Sequence, residues 1–583
     1  MKAAYQQIKA WTVAALLVPG NLAIAEIEAS IPILPETYGS VVIGDVPGLL
    51  DKIGALASKV MPGMNAGGIK AQAGAMLGDP QLAGLPSGSG LAVVIPKQGM
   101  PYAFLEVSAG KTADYQKLLK ARNLGTVEEA DGLLIIGADP GSVSSARAIA
   151  PQVKETLLAG SGAPTLSGAV KVADVLKQYD SQIQGAMQGM AKKVEKAEKA
   201  TSATAGGDAD TIVSVFRAYY AFAKRMDTLE LSIEPSGEAM AMNYGVIPVN
   251  KSSEPNAPVA ADASGSDLMK LLPGNGAIRG YASFDMVGMG KLFAEIAKEI
   301  ETPGETSKVN VEEITKWFEE CSAAFGGSMA MNLMGDPGAP LSGAYAVTVK
   351  DEAAALKVFR EMPAKMESTG FAKFYDAMGM PMKLSFKENV RKYKDTPIHE
   401  LDMKMDFSRG PDEQQKRMKQ LMGNMVYEVA FVDKVLVYAV KPEKIEDLIE
   451  AAKSGSNPAA KPLLSSENLP KGGQGYFDYN IGAAMLFAVS MSAKEGEKGA
   501  EQMKSMAAVV KDAPPLQVGW AKAANKYRVN VKMPADTLRA FVQAGQKAAA
   551  AAKDDKSIDA EKAPSKSTRS SGPRPAKQRS RNE

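Results

Sequence analysis

Two distant stretches of the chain carry the same order of apolar and polar positions. They read DGLLIIGADPGSVSSA (131–146) and DKVLVYAVKPEKIEDL (433–448). In each, an Asp precedes an apolar run of strand length, a Pro follows, and apolar residues then recur at helical spacing. Proline is tolerated in the first helical turn because its missing N–H has no helical acceptor there. The pattern predicts a strand, a turn and an amphipathic helix, written twice.

The likeness continues on both sides of these stretches. Residues 88–121 and 326–361 each read as a strand, a Gly/Pro turn, a second strand and an amphipathic helix. Residues 229–248 and 516–534 each alternate at period two about a Gly- or Asn-containing turn, which is typical of a hairpin. We therefore predict an α+β fold that is a tandem duplication of one unit, with mostly antiparallel sheets built from hairpins and packed amphipathic helices.

The predicted units also open alike. Residues 34–53 and 272–296 both begin with Leu-Pro, run through a short strand to an Asp, and enter a helical pattern. These residues, Asp45 and Asp285, are placed to cap the helix, because a carboxylate accepts hydrogen bonds from the free N–H groups of the first turn. We interpret both as structural caps.

The repeat divides the chain. Unit 1 is predicted at 31–250 and unit 2 at 268–547, separated by a Pro/Ala/Ser-rich linker at 251–267. Residues 548–583 end in a stretch with many Arg, Lys, Ser and Pro and no apolar periodicity, so a disordered basic tail is predicted. Such a tail can contact polyanions by charge alone, or can simply be an inert solubilising end.

The first residues have the composition of a bacterial secretory signal. Lys2 and Lys9 precede the apolar run 11–18, and Ala23-Ile24-Ala25 has the small-residue pattern of a cleavage site. The alternative is an ordinary buried helix. We predict a signal peptide at 1–25, cleaved after Ala25, and hence a periplasmic or extracellular protein. The apolar run is shorter than the roughly 20 residues that span a bilayer, and no later segment reaches that length.

The composition excludes several kinds of binding and catalytic site. The formal charge of +2 gives no global field that would select nucleic acid. Cys321 is the single cysteine, which excludes an intramolecular disulfide and a multi-thiolate metal site. His399 is the single histidine, so Ser-His or Cys-His catalysis would have to use it. Methionine is abundant, with 31 residues, while aromatics make up only 6%, which favours cores filled partly by flexible Met side chains.

Catalytic signatures are lacking. The sequence has no P-loop, no nucleophile elbow and no calcium loop, and the glycines of 274–280 are better interpreted as turn residues. No catalytic residue and no cofactor is therefore predicted. A hydrolase that depends on a pair of carboxylates stays open, because such partners need not be close in sequence.

One segment suggests a metal. Thioether sulfur is a soft ligand suited to Cu(I), and methionines recur at alternate positions between residues 378 and 405. The alternatives are that these methionines fill a core and that the nearby histidine is a packed or surface residue. The candidate ligands are Met378, Met380, Met382, His399, Met403 and Met405.

The Leu-Pro openings and the later strand-Pro-helix phrase resemble a loosely defined group of uncharacterised exported bacterial proteins built from duplicated α+β units. The resemblance covers most of 31–547, implies that fold, and carries over no activity or site residue. Our hypothesis is a non-enzymatic binding or structural module of the cell envelope, with an envelope protein or polymer as its partner. The alternatives are a periplasmic copper binder acting through 378–405 and a carboxylate-dependent hydrolase.

Overall fold

A computed structural model describes residues 31–547 of the chain, with gaps. The predicted signal peptide, the basic tail and most of the predicted linker lie outside the described residues, although the last part of that linker, from Ser264, begins a helix. The gaps are 124, 160–164, 201–215, 218, 250–263, 301–309, 334–341, 371, 373–381, 406–423, 441–443, 471, 493–497 and 524–525.

The first half of the described chain forms one run of antiparallel strands. Its strands are β1 (Thr37–Ile43), β2 (Leu91–Pro96), β3 (Tyr102–Glu106), β4 (Thr126–Ala130), β5 (Leu133–Gly137), β6 (Leu166–Lys171), β7 (Met226–Pro235) and β8 (Ala239–Pro248). They pair in the order β4–β5–β3–β2–β1–β6–β7–β8.

The second half has the same strand order with two additional strands at its outer edge. Its strands are β9 (Ile278–Ser283), β10 (Phe325–Leu333), β11 (Gly343–Val349), β12 (Met382–Tyr393), β13 (Thr396–Met405), β14 (Asn424–Val432), β15 (Val435–Val440), β16 (Gly475–Tyr479), β17 (Leu516–Ala523) and β18 (Lys526–Pro534). They pair in the order β12–β13–β14–β15–β11–β10–β9–β16–β17–β18, so that β9–β11 and β14–β18 take the places of β1–β8.

Helices fill the connections. They are α1 (Val46–Val60), α2 (Ala66–Leu77), α3 (Thr112–Ala121), α4 (Pro140–Gln152, continued by a π-helical turn over Val153–Leu158), α5 (Val172–Ala200), α6 (Ser264–Met269), α7 (Met286–Ile300), α8 (Val311–Ala324), α9 (Glu352–Ser368), α10 (Ile445–Ser454), α11 (Leu464–Asn468), α12 (Ile481–Ser492), α13 (Lys498–Val510) and α14 (535–547). None of the described helices is both long and apolar enough to cross a bilayer.

The predicted helix caps are confirmed. Asp45 precedes α1 and its Oδ1 accepts a hydrogen bond from the N–H of Gly48 at 3.0 Å. Asp285 precedes α7 and its Oδ1 accepts from the N–H of Gly288, also at 3.0 Å. Each carboxylate satisfies a backbone donor that the helix leaves unpaired, so both residues are structural.

The sheet separates two layers of helices. In β3, Phe104 packs in one buried cluster with Val143 of α4, whereas the next residue, Leu105, packs with Leu119 of α3 on the other face. This follows from the period-two alternation of a strand that is buried on both faces. In the second half, α10 covers the face that corresponds to α4, and α9 covers the opposite one.

The two halves share one sheet. Strands β8 and β18 pair antiparallel from Ala239 opposite Pro534 to Val246 opposite Tyr527. Helix α14 then returns to the first half, where Nε of Arg539 donates to the backbone oxygen of Lys59 at 2.7 Å. The α+β class and the antiparallel pairing are confirmed, with the difference that the predicted separate sheets form a single continuous one.

Candidate functional site

A cavity of about 470 Å³ lies in the second half, between the sheet and helices α7, α8 and α9. Its floor is the sheet face formed by β10 to β15, and its walls are almost wholly apolar. Among the described residues, no charged side chain lines it. The lining methionines are Met286, Met289, Met329, Met362, Met366, Met382 and Met403.

Helix α9 supplies one wall because its apolar residues recur at helical spacing. Val358, Phe359, Met362 and Met366 all face the cavity. The helix starts where Oδ1 of Asp351 accepts from the N–H of Ala354 at 3.0 Å. Unbranched Met side chains adapt their shape readily, so this wall can fit ligands of more than one outline.

The hairpin β12–β13 supplies the outer part of the floor, where Phe386 of β12 stacks on Phe359 of α9 with ring centroids 5.5 Å apart. Leu384 stands opposite Met403 in the register, and Met382 stands opposite Met405. Met382, Leu384 and Met403 line the cavity. This hairpin has no counterpart among the described strands of the first half, so the cavity is deepened by an element specific to the second half.

Tyrosines form the floor. Tyr345 of β11 and Tyr438 of β15 are opposite each other in the register, and their rings stack with centroids 4.2 Å apart and planes 13° apart. Tyr427 meets Tyr438 edge to face, with centroids 6.0 Å apart. Burial raises the pKa of all three phenols, that of Tyr427 to about 12, and for Tyr345 and Tyr438 neighbouring tyrosines raise it further. All three hydroxyls are therefore protonated at physiological pH and can donate hydrogen bonds.

The single cysteine also lines this cavity. Cys321 lies on α8, and burial raises the pKa of its thiol to about 12, with a smaller contribution from Glu320. A thiol with so high a pKa is not activated as a nucleophile, because the thiolate is the reactive form.

The corresponding space in the first half is filled. Between α2 and β2 the chain inserts residues 78–90, whose Leu82 and Leu85 are buried against Leu119 of α3. The inserted loop is held by Asp79, whose Oδ2 accepts from the hydroxyl of Tyr115 at 2.6 Å. In the second half α8 ends at Ala324 and β10 begins at once, so no loop enters the layer between these two elements, and the described residues leave the space open.

The predicted methionine ligands divide into three groups. Met378 and Met380 lie outside the described residues. Met382 and Met403 line the cavity, and Met405 is the strand partner of Met382. In the described part of the chain, no group of three His, Cys, Asp or Glu side chains is arranged to hold a metal ion.

His399 is packed among rings. It is 4% exposed, stacks on Phe386 with centroids 5.7 Å apart, and meets Phe431 edge to face at 5.9 Å. Its Nδ1 accepts from the N–H of Asn389 at 3.3 Å. Burial lowers the pKa of the imidazole, and the charge of Glu388 offsets part of that change. This is the surrounding of a neutral core histidine.

The cavity was not predicted from the sequence, although its residues carry a signal. Phe359, Met362 and Met366 recur at helical spacing along α9, and β11 and β15 each carry one tyrosine among small or branched apolar residues, which marks one interlayer as rich in large side chains. Comparison with known proteins gives no match to a family model, to a curated protein or to a solved structure.

Proposed function

We propose that this chain is an exported, non-enzymatic bacterial binding protein, and that its second half binds an apolar small molecule in the cavity between the sheet and α7–α9. The observation that carries the proposal is the lining, which combines seven methionines and a tyrosine floor with no charged group among the described residues. Its volume of about 470 Å³ falls within the range of roughly 300–1,000 Å³ that is typical of ligand sites.

The contrast between the two halves supports this proposal. The same interlayer is closed by Leu82 and Leu85 in the first half and left open by the described residues of the second. An unfilled space of this size forfeits the packing contacts of every residue around it, which costs stability. A bound ligand would restore the lost packing contacts in the open interlayer, which gives a reason for leaving that interlayer unfilled.

A tandem duplication and export are the other parts of the proposal. The repeated strand order, counted outward from β8 and β18, supports descent of both halves from one unit. The composition of residues 1–25 supports a signal peptide. N-terminal sequencing of the protein from a cell-envelope fraction tests this, with Glu26 as the expected first residue and an intact Met1 as the contrary result.

Ligand binding is tested with N-phenyl-1-naphthylamine, an uncharged probe whose fluorescence rises in apolar surroundings. We expect saturable binding of about one probe per chain, because one of the two interlayers is open. Met362→Trp places a bulky ring in the cavity and should weaken binding about tenfold or more. Met76→Trp is the matched control, since Met76 lies on α2 and is 70% exposed. Equal binding by both variants would overturn the proposed site.

Copper(I) binding is the second proposal, favoured by one observation. Met382 and Met405 are directly opposed across β12 and β13, with Met403 one alternation away. Changing Met378, Met380 and Met382 together to Leu should then lower the amount of copper bound per chain. The control changes three exposed methionines of the first half to Leu and should keep its copper; these are Met64, Met76 and Met100. A carboxylate-dependent hydrolase remains a third proposal, and the cavity, lined among the described residues by no carboxylate, adds nothing to it.

A further inference from the structure

The cavity floor offers hydrogen-bond donors whose present acceptors are weak. The hydroxyl of Tyr438 donates to Sδ of Met329 at 3.9 Å, and both residues line the cavity. The hydroxyl of Tyr427 donates to Sδ of Met425 at 3.8 Å. Thioether sulfur is a weak acceptor, so either hydroxyl can exchange it for a carbonyl oxygen and gain a stronger bond.

The described residues of the floor offer no counter-charge to a charged ligand. No Lys, Arg or His is among the described residues that line the cavity. A carboxylate inside would be desolvated without a counter-charge, which is far more costly than burying an uncharged oxygen that receives one hydrogen bond. The phenols cannot supply the missing charge, because they are neutral donors.

The stacked Tyr345 and Tyr438 rings add a third constraint. Their planes differ by 13°, and this pair lies beside Val347 and Leu436 on the cavity floor. Each ring covers one face of the other, so the pair continues the apolar floor, and an extended apolar chain can lie along it with its oxygen near the Tyr438 hydroxyl.

We infer that the ligand is an uncharged apolar molecule that carries a carbonyl oxygen, held by a hydrogen bond from the Tyr438 hydroxyl. This inference rests on the proposed function and narrows it to a chemical class. Esters and ketones of long hydrocarbon chains belong to this class, whereas free fatty acids and plain hydrocarbons do not.

The test is displacement of N-phenyl-1-naphthylamine by three probes of matched chain length, methyl laurate, laurate and n-dodecane. At about pH 8 laurate is ionised, so the three differ in charge and in the presence of a carbonyl. We expect methyl laurate to bind most tightly. Laurate binding as tightly as its ester, or dodecane doing so, would overturn the inference while leaving the proposed cavity site intact.

A single substitution tests whether the Tyr438 hydroxyl donates the hydrogen bond to the ligand. Tyr438→Phe should weaken methyl laurate binding roughly three- to tenfold, the effect of one hydrogen bond, and leave dodecane and the fluorescent probe unaffected. Tyr244→Phe is the matched control, because the hydroxyl of Tyr244 on β8 donates to Sδ of Met242 at 3.8 Å, a Tyr–Met pair outside the cavity. Unchanged ester affinity in Tyr438→Phe would overturn the assignment. Failure of the fluorescent probe to bind the wild-type chain would instead overturn the proposed function.

The ranking of the three probes uses the wild-type chain and needs no variant. Should Tyr438→Phe fail to fold, Met329→Leu gives a second measurement, since it removes the sulfur acceptor and leaves the Tyr438 hydroxyl to the ligand. Tighter ester binding in Met329→Leu is expected, and weaker or equal binding would contradict the inferred hydrogen bond.

Discussion

Asn243 of β8 and Asn530 of β18 are directly opposed where the two halves of the sheet meet, and Nδ2 of Asn530 donates to Oδ1 of Asn243 at 2.5 Å. Nδ2 of Asn243 in turn donates to Oγ of Ser232 on β7 at 3.1 Å. The last hairpin of each half thus pairs with the last hairpin of the other. Both would otherwise present an open strand edge, which favours aggregation, so the pairing protects two edges at once.

A buried ion pair crosses the same junction, and removing one of its two charges is expected to destabilise the fold. Lys526 of β18 pairs with Glu230 of β7, and both side chains are less than a tenth exposed. They pass over Gly245 of β8, where a Cβ would lie 2.8 Å from Cε of Lys526. Lys526→Met should lower the free energy of unfolding by about 3–5 kcal/mol, because Glu230 is left buried without its partner. Urea unfolding measures this.

The control for this prediction is a second Lys–Glu pair at the surface. Lys59 and Glu238 are 41% and 83% exposed, so Lys59→Met should leave the urea midpoint unchanged. The double variant Lys526→Met with Glu230→Leu should recover most of the lost stability, since no charge then remains buried. If Lys526→Met unfolds at the same urea concentration as Lys59→Met, the buried Lys526–Glu230 pair does not contribute the predicted stability.

The filled and open interlayers predict different costs for similar truncations. Leu85 is 2% exposed within the closed layer of the first half, so Leu85→Ala should lower the free energy of unfolding by about 2–5 kcal/mol. Met362→Ala removes the same number of heavy atoms, yet should cost less, because its side chain already borders empty space on one side. The reverse order, measured by urea unfolding, would indicate that the cavity is closed in solution.

Much of the local structure could be predicted from the sequence because it depends on near neighbours. The repeated strand-Pro-helix phrase became β5–α4 and β15–α10. The pattern itself does not pair its strand with the one before it, yet Asp131 and Gly132 form the two-residue turn of the β4–β5 hairpin, with φ of 54° and 77°. Asp-Gly between strands is the usual signal for such a turn, and it was present in the sequence.

The junction and the cavity could not be predicted, because both depend on residues far apart in the chain. Nothing near Asn243 indicates that its partner is Asn530, since an edge strand has similar alternation whether or not another strand covers it. The cavity arises from an absence, the lack of a loop between Ala324 and Phe325, where the first half inserts Leu82 and Leu85. The alternating spacing of Met382 and Met403 fits soft metal ligands as well as an apolar wall, and only the packing of α7–α9 over the sheet gives them their apolar surroundings.

The single histidine predicts a pH dependence of stability with a definite sign. Burial lowers the pKa of His399 in the folded chain, whereas an unfolded histidine titrates near about 6.5. The unfolded state therefore binds the proton more readily, and stability that is present above about pH 6.5 is lost as the pH falls toward the lowered folded pKa. His399→Gln keeps an acceptor for the N–H of Asn389 and should flatten the curve between about pH 7 and 5.5. An unchanged slope in this variant would assign the effect to other groups.

The single cysteine gives a direct report on the cavity, because a thiol reagent can label only Cys321. With the pKa raised to about 12, its thiolate fraction near neutral pH falls on the order of a thousandfold relative to a free cysteine. The greater nucleophilicity of a basic thiolate recovers part of this, so N-ethylmaleimide should react roughly 10–100-fold more slowly with the folded chain than with the urea-unfolded one. A bound apolar ligand should slow the reaction further, since Cys321 lines the same cavity as Met362 and Tyr438. Cys321→Ser, which should take up no label, checks specificity. Labelling of the folded chain at the unfolded rate would mean that α8 does not enclose this thiol in solution, and the cavity would then lose the wall on which its apolar character depends.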